Sequence, residues 1–278
     1  MSKNKFIEEC IDILEKVKNK KPLVHHITNY VTVNDCANIT LAIGASPIMA
    51  DAMEEVEEIV SISSVLVLNI GTLNKRTVES MIAAGKKANE KNIPVIFDPV
   101  GAGASTFRNS TTKDILEKVK INVLRGNISE IRYIAGLNSS TKGVDASESD
   151  ASNSSGEAAE IANTLSKKLK CIVAITGAID VVSDGTRTIY IENGHQALSN
   201  ITGTGCMCSS LVGSFNGAAP DLPLQATVAA LLCMGIAGEI AYEKAGKLGN
   251  GSFRSAIIDA ISNMDKNILL ERSKFHEK

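Results

Sequence analysis

Short apolar, β-prone runs alternate with stretches of helical periodicity along most of this chain, and that alternation constrains its fold more than any other feature. Leu23–Ile27, Pro47–Ala50, Val65–Ile70, Pro94–Phe97, Ile121–Leu124 and Cys171–Ile175 read as strands. Residues near 4–19, Thr32–Ile43, Thr77–Asn89, Ser129–Ile134 and Gly156–Leu169 read as the helices between them. Strands separated by helices predict a parallel sheet covered on both faces. The unbroken apolar character of Val65–Leu68 and Ile172–Ile175 fits strands buried on both sides. Asp184-Gly185 sits between the β-prone runs 181–183 and 186–191, which predicts an antiparallel hairpin on one sheet edge. Beyond Gly205 the pattern is helical throughout, over Met207–Asn216, Leu224–Ala245 and Ser252–Leu269. The Ser/Asp/Gly-rich stretch 138–156 reads as a solvated surface connection inside one domain spanning residues 1–278.

Charge and composition narrow the function. The net charge is −2 with no basic block, and Trp is absent, so neither bulk nucleic-acid binding nor a base-stacking platform is expected. The six cysteines are scattered, which predicts buried thiols in a reducing compartment rather than a disulfide framework. The N-terminus carries no signal-peptide pattern, and the uncharged run Leu222–Gly238 reads as a buried core helix rather than a membrane span. A soluble, cytoplasmic protein is expected.

Ligands of open parallel sheets collect at the carboxyl ends of the strands. Suggestive residues stand there: Asn69-Ile-Gly-Thr72, Asp98-Pro-Val-Gly-Ala-Gly103, Arg125-Gly-Asn-Ile-Ser-Glu130 and Thr176-Gly177. Thr202-Gly-Thr-Gly-Cys206 opens a helix. The unpaired amides of Thr204, Gly205 and Cys206, with Gly203 allowing close backbone approach, would form an anion nest; a tight turn that starts a buried helix is the equal alternative. Neither a Walker A lysine nor a third dinucleotide-fingerprint glycine accompanies it, which disfavours an NAD-dependent oxidoreductase. Cys206 in the first helical turn is expected to have a lowered pKa and to accept a proton, or else to be a small core thiol. Asn127 and Glu130 share a helix face and suit water-mediated Mg²⁺ binding, or else cap the helix. Arg125 suits a nucleotide phosphate or a carboxylate, and Asp98 before Pro99 suits a turn cap. His25 and His26, adjacent on a strand, face opposite sides and do not suit a shared metal.

In that order these segments, with His26-Ile-Thr-Asn29-Tyr-Val-Thr-Val-Asn34, Gly44-Ala-Ser-Pro-Ile-Met49-Ala and Leu68-Asn-Ile-Gly-Thr-Leu73, resemble the hydroxyethylthiazole kinase family of the ribokinase-like superfamily, from about Leu23 to Ala260. The resemblance implies a three-layer α/β/α fold with a mostly parallel central sheet. It implies transfer of the γ-phosphoryl group of ATP to the primary hydroxyl of 4-methyl-5-(2-hydroxyethyl)thiazole, a salvage step toward thiamine, with Mg²⁺ and a homotrimer whose sites lie near subunit contacts. It implies that Met49, Gly203 and Asn29 contact the thiazole, that Arg125 and Thr176 contact ATP, and that Asn127, Glu130 and Asp98 hold Mg²⁺ through water. Cys206 stands where most of the superfamily has an Asp base, a departure shared by the thiazole kinases. A kinase for another small vitamin-precursor alcohol and a catalytically silent ligand-binding homologue remain as alternatives.

Overall fold

The computed structural model describes residues 3–137 and 151–278. One nine-stranded sheet runs β2-β1-β3-β4-β5-β6-β7-β8-β9. Strands β1 (Leu23–Ile27), β2 (Ser46–Met49), β3 (Val65–Asn69), β4 (Val95–Asp98), β5 (Val123–Asn127) and β6 (Ile172–Thr176) are parallel. β7 (Asp180–Ser183), β8 (Thr188–Ile191) and β9 (Phe275–Glu277) continue it antiparallel.

The alternation of side chains along β3 shows how the sheet builds two cores. Val65 and Val67 enter one apolar cluster, Leu66 and Leu68 the other. Helices α1 (Lys3–Lys20), α2 (Val33–Ile43), α8 (Thr204–Ala218), α9 (Pro223–Ala245), α10 (Asn250–Ser262) and α11 (Lys266–Arg272) cover the first face. Helices α3 (Val56–Ile62), α4 (Lys75–Glu90), α5 (Thr106–Lys118), α6 (Ile128–Ile134) and α7 (Ala151–Leu169) cover the second. The three-layer architecture is therefore as the sequence predicts. Among the described residues, one helical run, Pro223–Leu248, is long and apolar enough to cross a membrane. α9 within it lies in the core: Val228, Leu232, Cys233 and Ile236 are fully buried.

Several expectations need correction. α3 and α5 were not expected. α3 is only seven residues long, and α5 carries few apolar positions, being set instead by Ser105, whose hydroxyl accepts the Arg108 amide hydrogen. The helix read over Ser252–Leu269 is two helices, because Asp265 caps the amide of Ile268 and restarts the chain as α11. The C-terminal region is not wholly helical, since β9 pairs with β8 and replaces the hairpin as the outermost edge. α7 begins at Ala151, so residues 151–156 of the expected surface connection are helical; residues 138–150 lie outside the described residues. The Asp184-Gly185 hairpin forms, with Asp184 accepting the amides of Thr186 and Arg187.

The strand order reverses at β1: the chain goes from β1 to β2 on one side, then crosses to β3 on the other. The carboxyl ends of β1 and β3 therefore flank a switch-point crevice, where open α/β sheets bind ligands.

Candidate active site

Asn29 follows β1 and Asn69 ends β3, and their amides meet across that crevice. Asn29 Nδ2 donates to Asn69 Oδ1 at 2.9 Å. Asn69 Nδ2 donates to Asp98 Oδ2, at the end of β4, at 2.8 Å, and Ser209 Oγ on α8 donates to the same oxygen at 2.7 Å. Arg125 Nη1 lies 3.6 Å from Asp98 Oδ2, and Arg125 Nη2 donates to Thr176 Oγ1 at 2.5 Å. A polar chain thus runs along the carboxyl ends of β1, β3, β4, β5 and β6.

The N-terminus of α8 closes over this chain. Its first amides, from Thr204 to Cys206, precede the first intrahelical bond, from Met207 N to Gly203 O at 2.8 Å. Gly203 holds φ +91°, and a Cβ there would stand 2.7 Å from the Thr32 methyl. A Cβ on Gly205 would stand 2.9 Å from Arg125 Nη1, so the guanidinium lies against the helix end. The free amides of Thr204, Gly205 and Cys206 and the Arg125 charge face the same region, an arrangement suited to an anion.

Cys206 is half-buried, and its sulphur accepts from Asn29 Nδ2 at 3.3 Å and Asn69 Nδ2 at 3.4 Å. The expected lowering of its pKa is overturned. Burial, then the Asp98 charge, push the thiol above its ordinary value, against hydrogen bonds from Thr32 and Asn29 and the Arg125 charge. Burial likewise raises the Asp98 carboxyl, opposed by Arg125, Ser209 and Asn69. Burial works against the Arg125 charge, but Asp98, Cys208 and Glu130 hold its pKa above the usual value.

Asn127 and Glu130 form a capping box at α6: Asn127 Oδ1 accepts the Glu130 amide at 2.9 Å, and Glu130 Oε2 accepts the Asn127 amide at 2.8 Å. Glu130 Oε1 also accepts the Gly101 amide at 2.8 Å. The capping alternative is therefore realised, and these oxygens are not bare ligands. The Glu130 pKa is nonetheless raised, by burial first and by Asp98 second. Asp98 Oδ1 is buried with no hydrogen-bond partner. Two buried carboxylates with raised pKa values, one of them with unmet acceptor capacity, fit a divalent cation held through water. Among the described residues no cluster of three His, Cys, Asp or Glu could bind a metal directly.

Beside Asn29 opens a cleft of about 340 Å³, lined by His26, Val33, Met49, Ala50 and Thr72 among others. Met49 and Asn29 thus share one cavity wall, while Gly203, Arg125 and Thr176 are not among the residues that line it. His26 Nε2 lies 3.3 Å from Thr40 Oγ1 and His25 Nε2 lies 2.7 Å from Ala50 O; burial depresses both pKa values, His26 to about 3.

Sequence reasoning assigned no role to Asn69, Ser209 or Arg108. Ser209 lies three residues beyond Cys206 on the same helix face, a spacing that could have found it. Arg108 donates to the carbonyls of Ile70, Val100 and Gly71, tying together the loops after β3 and β4. It comes from unexpected α5 and had no signal.

The model of the "Hydroxyethylthiazole kinase family" matches residues 14–267. A hydroxyethylthiazole kinase of Clostridium beijerinckii is 64% identical over 265 residues, covering 95% of this chain and 96% of the relative. One from Ruminiclostridium cellulolyticum is 61% identical and covers 99% of both chains. The solved hydroxyethylthiazole kinase of Pyrococcus horikoshii superposes with a TM-score of 0.88 at 39% identity, covering 98% of this chain and 99% of that one. A pyridoxal kinase of Staphylococcus aureus, at 14% identity and TM-score 0.60, covering 78% of this chain and 88% of that one, shares the ribokinase-like fold. Family match, identity and superposition agree over nearly the whole length: the chain belongs to the hydroxyethylthiazole kinase family.

Proposed function

We propose that this protein transfers the γ-phosphoryl group of ATP to the primary hydroxyl of 4-methyl-5-(2-hydroxyethyl)thiazole, as one kinase domain over residues 1–278. The observation that carries the reading is the Arg125 guanidinium against the free amides that open α8, next to a cleft walled by Met49. Positive charge and oriented N–H groups suit a transferring phosphoryl group. The cleft, small and with few charges, suits a neutral heteroaromatic ring.

In this reading Met49, Asn29 and Gly203 hold the thiazole, and Arg125 with Thr176 holds the nucleotide phosphates. Amides of Gly203, Thr204, Gly205 and Cys206 take up the charge that spreads over the phosphoryl oxygens. Cys206 accepts the hydroxyl proton as oxygen bonds to phosphorus and the bond to the β,γ-bridging oxygen breaks, its electron pair leaving with ADP. The loose transition state of phosphoryl transfer needs little prior deprotonation, so a weakly acidic thiol suffices. Mg²⁺, held through water by Glu130, Asn127 and Asp98, supplies further charge neutralisation at the phosphates when bound.

The family resemblance supports a homotrimer, and Tyr30 and Val31, exposed at 79% and 55% beside the cleft, suit a subunit contact there. A cytoplasmic location and thiamine salvage complete the reading. A coupled ADP-release assay tests it: ADP forms with the thiazole alcohol and not without it. Turnover only with pyridoxal or a hydroxymethylpyrimidine assigns a different alcohol, and nucleotide binding without turnover assigns a silent homologue.

A further inference from the structure

The amides of Asn29 and Asn69 are oriented by groups that can only donate. Backbone N–H of Thr32 reaches Asn29 Oδ1 at 3.1 Å, and backbone N–H of Gly71 reaches Asn69 Oδ1 at 2.9 Å. Each contact fixes the oxygen, and with it the direction of the NH₂ group. Every remaining site is then accounted for. Asn29 Nδ2 has one hydrogen for Asn69 Oδ1 and one for Cys206 Sγ. Asn69 Nδ2 has one for Asp98 Oδ2 and one for the same sulphur. Asn29 and Asn69 are both buried, at 3% and 2% exposure, so neither amide can turn without leaving donors and acceptors unpaired.

We propose that Asn29 and Asn69 are positioning residues that act through Cys206: their two N–H donors fix its sulphur and favour the thiolate form that receives the substrate hydroxyl proton. The proposal rests on the kinase reading above. Two donors converging on one sulphur are the arrangement that stabilises negative charge there, and the Asp98 carboxylate opposes them. A merely structural amide pair would not need to spend both spare hydrogens on a thiol, which is a weak acceptor while protonated.

Asn69→Leu and Asn29→Leu remove the donors while roughly keeping side-chain volume. The first lies outside the cleft lining and the second within it, so the two variants fail in different ways if either misfolds. Each is expected to slow alkylation of Cys206 by iodoacetamide, read by mass spectrometry at fixed pH, by about tenfold; the other five cysteines are buried. Asn69→Leu is also expected to lower kcat by about tenfold with KM for the alcohol within about twofold. In a Cys206→Ala background the same substitution is expected to cost clearly less kcat than in the wild type, because only its bond to Asp98 remains to act through. Unchanged or faster labelling in a folded variant, or the same loss of kcat with and without Cys206, overturns the proposal. The labelling arm needs no turnover: if Cys206→Ala leaves kcat intact, the proton-acceptor role fails on its own while the donor cradle is still measured.

Discussion

The Arg125 guanidinium, 12% exposed, lies 3.6 Å from the 1%-exposed Asp98 carboxylate; Asp98 ends β4, and Arg125 lies within the adjacent parallel strand β5. Burial raises the Asp98 pKa, and this neighbour is the largest influence that opposes the rise. Arg125→Ala leaves that carboxylate buried and unpaired, so stability should fall by about 3–5 kcal/mol in urea unfolding at neutral pH. Adding Asp98→Asn should recover a large part of the loss, since a neutral amide has less to lose on burial. The KM for ATP should rise in both variants, because the phosphate contact is absent from each; an unchanged KM removes Arg125 from the nucleotide site.

Cys206 sets the pH dependence. Its pKa is raised, so at neutral pH the proton-accepting form is the minor one, and it grows as pH rises. The wild-type kcat should therefore climb from about pH 7 to about pH 9. A carboxylate at this position can take the same two amide donors and starts from a far lower ordinary pKa than a thiol. Cys206→Asp should keep or raise kcat at pH 7 and flatten the profile. A hundredfold loss in that variant, or a climb identical to wild type, rules out Cys206 as the proton acceptor.

Gly203 connects backbone strain to the site. From the sequence, Gly203 is expected only to allow close backbone approach. The positive φ and the 2.7 Å approach of a Cβ to the Thr32 methyl show that the fold itself needs glycine. Gly203→Ala should lower stability by roughly 1–3 kcal/mol, from the left-handed backbone and the displaced Thr32. Because Thr32 anchors Asn29, kcat should fall with it. A wild-type Tm in Gly203→Ala would show that the turn relaxes freely.

The strands were legible because burial on both faces forces continuous apolar runs, as in β3 and β6, and Gly44, in the left-handed conformation at the end of α2, marked that helix stop directly. α5 was not legible: its stability comes from a Ser105 cap and from Arg108 reaching three carbonyls, none of which leaves an apolar period. β9 is three residues long and exists because β8 offers it an edge. At the site, Cys206, Arg125 and Asp98 stood out by lying at strand ends and a helix start. The amide orientations of Asn29 and Asn69 did not, because they are set by Thr32 and Gly71 amides and by contacts 40 to 177 residues apart in sequence. The thiol's raised pKa was missed for a related reason: a helix terminus is visible in sequence, whereas burial beside Asp98 is tertiary.

Glu130 serves structure and charge at once. Its oxygens accept the amides of Gly101 and Asn127, so it joins the loop after β4 to the start of α6. In Glu130→Gln one of those oxygens becomes an NH₂ group facing a backbone N–H, leaving a donor without an acceptor. Stability should fall by about 1–3 kcal/mol for that lost bond, read by urea unfolding in the absence of Mg²⁺. The substitution also removes one of the two buried carboxyl groups of the site, and with it part of the attraction for a divalent cation. The Mg²⁺ concentration at half-maximal activity should rise severalfold. Glu130→Asp keeps the charge but shortens the reach, so it should lose stability while holding Mg²⁺ dependence closer to wild type. If Glu130→Gln is destabilised and its Mg²⁺ titration is unmoved, Glu130 is a capping residue alone.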